Sequence, residues 1–301
     1  IIKIIKTYVS IFILSKVDKM TYSTEIDTVS IQINCSSLEV QQGISFMISR
    51  AVTEYNKVYI KDNAYTKQRE ILFNNNRLGT IRLGMNPILN KFTRKYVINY
   101  YVAVSFYGLK SHIEILDNLS TGCLFAVCGI LNTFNFSYVF TELDICLDMN
   151  TKIDNVLVIC TTKLPRTEYY SLNDSFYNGN SVYIEKITKN KLDYYSQRAY
   201  LYNKAKKENL QYPLTRFELK LQKSFFKNDF DFETIVNALN RYTVMFFPTI
   251  YEKIRIVDKY NSYSRISRRD IDRIGLDRYR LKPDVVKIER FIDNLKKYRL
   301  Y

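Results

Sequence analysis

Three well-separated segments of the chain alternate between apolar and polar residues, and this alternation constrains the fold more than any other feature. The segments are residues 28–34, 141–148 and 215–222. Successive side chains of a strand point to opposite sides, so a period of two is typical of a strand with one buried face. The alternation therefore predicts three half-buried strands.

Other patterns add helices and further strands around these three. Residues 44–55 carry apolar side chains at helical spacing, 117–133 predict a mostly buried helix, and 204–210 predict a short helix that Pro213 stops. Residues 70–73 and 80–83 flank an Asn-rich turn, which predicts a hairpin. Further strands are expected at residues 96–106, 155–160, 181–187 and 198–203. Together these elements predict an α+β fold with one large, mainly antiparallel sheet and flanking helices.

Composition suggests three regions along the chain. Residues 1–19 contain no Met and hold a short apolar stretch between lysines, so we expect a dispensable leader before a natural start at Met20. Residues 20–242 contain the strand patterns and are expected to form the α+β catalytic domain. Residues 251–301 hold 15 Lys or Arg against 8 Asp or Glu, which predicts a basic helical DNA-binding tail over residues 243–301. The tail is expected to bury an apolar stripe formed by Val285, Ile288, Ile292 and Leu295.

The overall charge, the single histidine and the five cysteines limit the classes of function that this protein can have. The net charge of +15 and the pI near 9.4 favour a polyanionic partner, nucleic acid first of all. His112 is the single histidine of the chain, which excludes chemistry that needs two imidazoles, so any metal must be held by oxygen. The five cysteines form no Cys-x-x-Cys pair, and no apolar run is long enough for a membrane span, so we expect a cytoplasmic protein.

The strand at residues 141–148 places three carboxylates on one face. Glu142, Asp144 and Asp148 share this face with Cys146, while the apolar residues between them point the other way. Carboxylates that share a face can hold Mg²⁺ or Mn²⁺, because both ions prefer oxygen ligands. The alternative is an acidic strand face that is merely solvated.

The strand at residues 215–222 has the same construction, with Arg216, Glu218 and Lys220 on its polar face. If this strand lies near the acidic one, Glu218 adds a carboxylate and the two cations add positive charge. A carboxylate, a cation and a metal ion together are suited to phosphodiester cleavage, in which charge develops on phosphate oxygens. The alternative is a surface ladder of salt bridges, which contributes little to stability.

Between these two strands, residues 197–208 offer a tyrosine among cations. Arg198, Tyr200, Tyr202 and Lys204 fall on one face of a strand that continues into a basic helix. A phenol is a poor nucleophile at neutral pH unless a neighbouring cation or base helps to ionise it, and Arg198 and Lys204 are such neighbours. A tyrosine with carboxylates is thus the strongest nucleophilic arrangement in the sequence.

These segments, with Asp27-Thr-Val-Ser-Ile-Gln-Ile33, resemble the trans-acting replication initiator family of rolling-circle plasmids. The resemblance lies in an acidic strand, Glu142-Leu-Asp-Ile-Cys-Leu-Asp148, followed by Leu201-Tyr-Asn-Lys204 with Lys206 and Lys207, and then by Arg216-Phe-Glu218. It covers roughly residues 25–225 and depends on the order and spacing of the motifs.

The resemblance implies an enzyme that nicks one strand of a plasmid's double-strand origin and stays linked to the 5′ phosphate. Tyr202 would be the nucleophile, and Tyr200 is the competing choice. Asp144, Asp148 and Glu218, with Glu142, would hold Mg²⁺ or Mn²⁺, and Arg198, Lys204 and Arg216 would neutralise the scissile phosphate. The family acts as a homodimer with a host helicase.

Two binding assignments and two alternative functions complete the expectations. The residues expected to contact DNA are Lys206, Lys207, Arg265, Arg268, Arg269 and Arg273. DNA bases could stack on the aromatic side chains of Tyr169, Tyr170, Tyr194 and Tyr195. The alternatives are an origin-binding initiator without catalysis, and a protein of a phage or mobile element that binds single strands.

Overall fold

The computed structural model describes most of the chain, with gaps. The described residues are 20–55, 57–65, 68–90, 92–110, 114–160, 170–174, 179–183, 197–222, 225–226, 232–254 and 275–297. The expected leader at residues 1–19 and His112 lie outside them.

One large antiparallel sheet dominates the described residues. Its ten strands follow the order β2-β3-β4-β5-β1-β6-β11-β10-β9-β8, and each strand is antiparallel to its neighbours. The strands are β1 (Tyr22–Cys35), β2 (Val58–Asn63), β3 (Gln68–Phe73), β4 (Asn76–Leu89), β5 (Tyr96–Phe106), β6 (Tyr138–Met149), β8 (Tyr170–Asp174), β9 (Gly179–Tyr183), β10 (Gln197–Asn203) and β11 (Thr215–Gln222).

A three-stranded sheet and several helices complete the fold. The smaller sheet has the order β13-β12-β7, with β7 at Val156–Cys160, β12 at Tyr242–Phe246 and β13 at Arg280–Leu281. The helices are α1 (Leu38–Thr53), α2 (Glu114–Thr133), α3 (Lys204–Glu208), α4 (Phe232–Leu239) and α5 (Val285–Lys297), with short 3₁₀ turns at Ile153–Asn155 and Leu276–Tyr279. None of the helices in the described part of the chain is both long and apolar enough to cross a bilayer.

Local sequence explains where these elements begin and turn. Ser37 caps α1, because its hydroxyl accepts a hydrogen bond from the backbone N–H of Val40. The β3–β4 hairpin turns at Asn74 and Asn75, whose φ angles are 45° and 64°. Asparagine tolerates this left-handed conformation, and two such residues in succession match the twist of the flanking strands.

The large sheet has one apolar and one polar face. The apolar face of β1 and β5, which includes Ile31, Ile33 and Val104, is buried in a core shared with α1, α2 and α5. Helix α5 lies beside α2, where the rings of Phe125 and Phe291 are 6.4 Å apart. The opposite face carries the polar residues of each alternating segment. The helices pack on the apolar face instead.

The sequence predictions of fold class and most elements are confirmed. The α+β architecture with a large antiparallel sheet is present, and the strands expected at residues 96–106 and 215–222 are found with those bounds. The expected helix after β10 ends at Glu208, before Pro213, because Asn209 adopts a left-handed conformation with φ of 55°.

Some elements differ from the sequence predictions. The strand expected at residues 155–160 belongs to the smaller sheet, where it pairs with β12. The sequence analysis missed β2, β8, β12 and α4, which are short or lack a clear period. The division at residues 242 and 243 stays a prediction. In the described residues, β12 begins at that point, and Ile288, Ile292 and Leu295 of the expected stripe join the main core, while Val285 is only half-buried.

The packing of α5 leads to a stability prediction. Ile292 is fully buried, so Ile292→Ala should lower the free energy of unfolding by about 2–5 kcal/mol through lost burial and a residual cavity. Val286 lies on the same helix with 53% of its surface exposed, so Val286→Ala should change it by less than about 0.5 kcal/mol. Urea unfolding measures both variants, and equal effects would show that α5 is not docked on the core.

Candidate functional site

Three strands that are distant in sequence become neighbours in the sheet and bring their polar faces together. The order β6-β11-β10 places the acidic strand, the Arg-Phe-Glu strand and the tyrosine strand side by side. Their antiparallel registers align polar residues in rows across the three strands. The rows are Asp148–Arg216–Tyr202, Cys146–Glu218–Tyr200 and Asp144–Lys220–Arg198.

Arg216 is at the centre of the site and is fully buried. Its Nε and Nη2 donate to the two carboxylate oxygens of Asp148 at 2.6 and 2.7 Å, the bidentate geometry that a guanidinium favours. Its Nη1 donates to Asp27 at 2.6 Å, and Nη2 also donates to the carbonyl oxygen of Lys110 at 3.1 Å. The guanidinium therefore joins β11, β6, β1 and the segment after β5.

Asp27 is a site residue that the sequence analysis did not identify. The register of β1 against β6 shifts between Ile26 and Thr28, so Asp27 occupies a bulge in β1. A bulge can redirect a side chain, and here the carboxylate of Asp27 reaches Arg216. The sequence signal was only its position immediately before the alternating run, next to the motif that carries the resemblance.

Tyr202 is hydrogen-bonded to a carboxylate. Its hydroxyl donates to Oε2 of Glu218 at 2.9 Å, and the side chain is only 1% exposed. The ammonium of Lys207 lies 5.2 Å from the centre of the Tyr202 ring. Burial, with the nearby charge of Lys204, lowers the pKa of Lys207. A carboxylate and a cation therefore lie on two sides of this phenol.

The loop after β10 positions the two lysines. Asn203 caps α3 by accepting a hydrogen bond from the backbone N–H of Lys206 at 2.9 Å. Lys204, expected near the phosphate, is buried and forms a salt bridge of 2.5 Å with Glu208 one helical turn on. Lys206 is exposed, while Lys207 is half-buried over Tyr202.

Tyr200, the competing nucleophile, has a different environment. It lies opposite Glu218 in the register and is hydrogen-bonded to Arg198. Burial raises the pKa of Tyr200, with Lys220 and Arg198 opposing the rise. Nε and Nη2 of Arg198 are buried without a hydrogen-bond partner within the described part of the chain. Unpaired buried N–H groups are costly, so these atoms are well suited to an anionic ligand.

Lys220 neutralises the other end of the acidic strand. Its ammonium contacts Oε1 of Glu142 and lies 3.3 Å from Oδ2 of Asp144. Asp144 is buried, and no described residue forms a hydrogen bond with its Oδ1. Burial raises the pKa of Asp144 well above its usual range, Lys220 opposes the rise, and the charges of Glu218, Glu142 and Asp27 add to it.

The carboxylates are arranged around cationic side chains. Within the described residues, no group of three or more His, Cys, Asp or Glu side chains is disposed to hold a metal ion. Both oxygens of Asp148 bind Arg216, and Lys220 contacts Glu142 and Asp144. Asp144 Oδ1 is the orphaned carboxylate oxygen among these groups. The carboxylates of Glu142 and Asp144 fit a divalent ion only if that ion replaces the ammonium of Lys220.

The remaining expectations cannot be compared with the structure. The four arginines at positions 265, 268, 269 and 273 lie outside the described residues, as do Tyr169, Tyr194 and Tyr195. Tyr170 is the first residue of β8, and only its backbone is described.

The burial of Arg216 leads to a second stability prediction. Arg216→Gln would leave Asp148 and Asp27 without their counter-charge, and an uncompensated buried charge costs about 3–5 kcal/mol. Arg290→Gln removes the same charge from an exposed position on α5 and should change the free energy of unfolding by less than about 0.5 kcal/mol. Urea unfolding at neutral pH makes the comparison. Similar losses for the two variants would contradict the central position of Arg216.

Comparisons with known proteins leave the family open. No protein-family model matches the chain, and no curated protein sequence matches it. Among solved structures, the chain is similar to a rolling-circle replication initiator protein from Geobacillus stearothermophilus, with 11% sequence identity and a TM-score of 0.40. The match covers 75% of this chain and 87% of that protein. A likeness at this level is too low to assign a family or an activity.

Proposed function

We propose that the protein is a replication initiator that nicks DNA at a plasmid origin, with Tyr202 as the nucleophile. The observation that carries the proposal is the hydrogen bond of 2.9 Å from the Tyr202 hydroxyl to Glu218. A tyrosine needs a base or a cation to react at neutral pH, and this phenol has both a carboxylate and Lys207 beside it. The basic charge of the chain favours DNA as the substrate.

The proposed reaction is a transesterification, in which the bond from phosphorus to the DNA 3′ oxygen is exchanged for a bond to the Tyr202 oxygen. Glu218 accepts the phenol proton as the Tyr202 oxygen attacks phosphorus, and the bond from phosphorus to the 3′ oxygen breaks. The 5′ phosphate is then joined to Tyr202, and the released 3′ oxygen takes up the proton from Glu218 to become a hydroxyl. That hydroxyl primes synthesis, as the rolling-circle mechanism requires.

Three cations have different roles in this proposal. Arg198 contacts the scissile phosphate, since its Nε and Nη2 are buried donors that no described residue accepts from. Arg216 holds the strands in register, because Asp148, Asp27 and Lys110 already accept its hydrogen bonds. Lys207 stabilises the phenolate from its position over the ring.

A divalent metal ion belongs to the same proposal. Asp144, with Glu142 and Glu218, would hold Mg²⁺ or Mn²⁺ in exchange for the ammonium of Lys220. When bound, such an ion neutralises charge on a phosphate oxygen. Asp148 is less suited to this role, because both its oxygens bind Arg216.

The resemblance found in the sequence supplies the partners. We propose that the protein acts on a double-strand origin whose nick site is locally unpaired, that it works as a homodimer, and that a host helicase unwinds the DNA. The basic tail, including the arginines at positions 265, 268, 269 and 273, would bind origin duplex through its phosphates, together with Lys206 and Lys207.

An origin-binding initiator without catalysis is the second candidate. The observation that favours it is the burial of Tyr202, whose side chain is only 1% exposed. In that case Tyr202, Glu218 and Arg216 would be a buried polar network that fixes the register of the sheet. The two functions predict different effects on nicking when the Tyr202 hydroxyl group is removed.

Tyr202→Phe separates the two functions. We expect it to reduce nicking of a supercoiled plasmid carrying the replicon that encodes this chain by on the order of 10³-fold or more, because the attacking oxygen is lost. Binding of that plasmid should be unchanged, and Tyr200→Phe is the matched control that should still nick. The measurements are conversion to open circles and detection of a protein-linked 5′ end. A covalent protein–DNA product from Tyr202→Phe would show that Tyr202 is not the nucleophile. If the product were lost in Tyr200→Phe instead, Tyr200 would be the nucleophile.

The metal proposal has a test that does not depend on activity alone. Lys220→Met removes the ammonium that contacts Glu142 and Asp144, so Mn²⁺ should bind about tenfold or more tightly to this variant than to the parent protein. Adding Asp144→Asn should abolish that gain. Calorimetry with Mn²⁺ measures the affinities, and a chelator should stop nicking by the parent protein. Equal Mn²⁺ affinities for Lys220→Met and the parent would contradict the proposal.

A further inference from the structure

The polar face of the large sheet continues beyond the site and forms an open groove of about 490 Å³ over β1, β5 and β4. Its lining is mostly uncharged and polar, with hydroxyl and amide side chains from five strands. These include Ser30, Gln32, Gln68, Thr80, Asn86 and Thr141. A groove of this size is within the range of roughly 300–1,000 Å³ that is typical of sites for small ligands.

Small side chains form the floor of the groove. Ser30, Ala103 and Ser105 line it, and the hydroxyl of Ser30 donates to that of Ser105 at 2.7 Å. These residues occupy the same polar face as the acidic site, since Ser30 is the register partner of Ser105 on one side and of Glu142 on the other. The floor is therefore low enough for a ligand to lie along the sheet.

Arg82 is the cation of the groove, and its position is fixed by Tyr101. The Tyr101 ring lies across Gly84, where an added Cβ would be 2.1 Å from the ring. Arg82 is exposed and donates through Nη2 to the Tyr101 hydroxyl at 2.8 Å. The absence of a side chain at Gly84 thus allows a tyrosine to hold an exposed guanidinium at the wall of the groove.

The groove reaches the acidic end of the proposed catalytic site at Glu142. Glu142 lines the groove and also contacts Lys220, whose other partner is Asp144. Tyr107, half-buried at the far wall, adds an aromatic ring beside Thr80, with their oxygens 3.3 Å apart. A ligand in the groove would therefore extend from an aromatic ring and an arginine toward the acids around Lys220.

We infer that this groove binds one or two nucleotides of the single-stranded DNA next to the cleaved phosphodiester, which rests on the proposed nicking function. Arg82 contacts a phosphate, Tyr107 contacts a base, and the amides of Gln68 and Asn86 meet base edges. The charge of +15 matches a polyanion, and the groove volume of about 490 Å³ is in the range of a small ligand. Single-stranded DNA offers both a phosphate and an unpaired base at this scale.

The test compares two arginines on opposite faces of the sheet. Arg82→Gln should weaken binding of a short fluorescein-labelled oligothymidylate about tenfold, because it removes a phosphate contact. Arg50→Gln removes the same charge from an exposed position on α1, which packs on the apolar face, and should bind like the parent protein. Fluorescence anisotropy at fixed low salt measures both affinities.

A second variant tests the groove without removing charge. Ala103→Leu fills the floor while leaving Arg82 in place, and it should weaken oligothymidylate binding by about tenfold or more. Circular dichroism and the thermal midpoint establish that each variant is folded. If Arg82→Gln and Ala103→Leu are folded and bind like the parent protein, the inference is overturned. A duplex of the same length that binds more tightly than the oligothymidylate, and loses affinity equally in both variants, would overturn it as well.

Failure of this inference is distinguishable from failure of the proposed function. Tyr202 lies outside the groove lining, so the oligothymidylate comparison does not depend on the nicking reaction. Covalent product from Tyr202→Phe would refute the role of Tyr202 in nicking while the binding comparison still decides the groove. Unchanged binding in the groove variants refutes the groove while the nicking assay still decides the enzyme.

Discussion

The buried ion pairs of Arg216 are the interaction on which the rest of the site depends. A guanidinium with no exposed surface is tolerable only when carboxylates and carbonyl oxygens satisfy its donors, and Asp148, Asp27 and Lys110 do so. These partners come from β6, β1 and the segment after β5, so a register error in any of them would leave a buried charge unpaired. The same registers bring Tyr202 within hydrogen-bond distance of Glu218.

One face of the large sheet contributes to stability, and the other face carries the residues of the candidate site. Apolar side chains on one face are buried under α1, α2 and α5, which supplies most of the hydrophobic stabilisation. The other face carries acids, cations and tyrosines around Tyr202, and then the hydroxyl and amide groups of the groove beside Arg82. Because the period of a strand is two, each strand contributes to both faces without compromise.

Charge in the site is nearly balanced inside the protein itself. Lys220 lies between Glu142 and Asp144, Arg216 neutralises Asp148 and Asp27, and Glu218 accepts a hydrogen bond from Tyr202. Among the described residues of this site, Nε and Nη2 of Arg198 and Oδ1 of Asp144 have no hydrogen-bond partner, and the two side chains lie in one row across the sheet.

The sequence by itself determined the strands at residues 96–106 and 215–222, the polar face of the second strand and the fold class, because alternation depends on the local geometry of a strand. It also predicted that Tyr202, Glu218 and Arg216 belong to one site. Only the tertiary structure decided that Asp27 joins them through a bulge, that Lys220 rather than Arg216 faces Asp144, and that β7 belongs to the smaller sheet. Strand pairing brings together residues far apart in the chain, so partner, register and bulge depend on non-local contacts that no local period encodes.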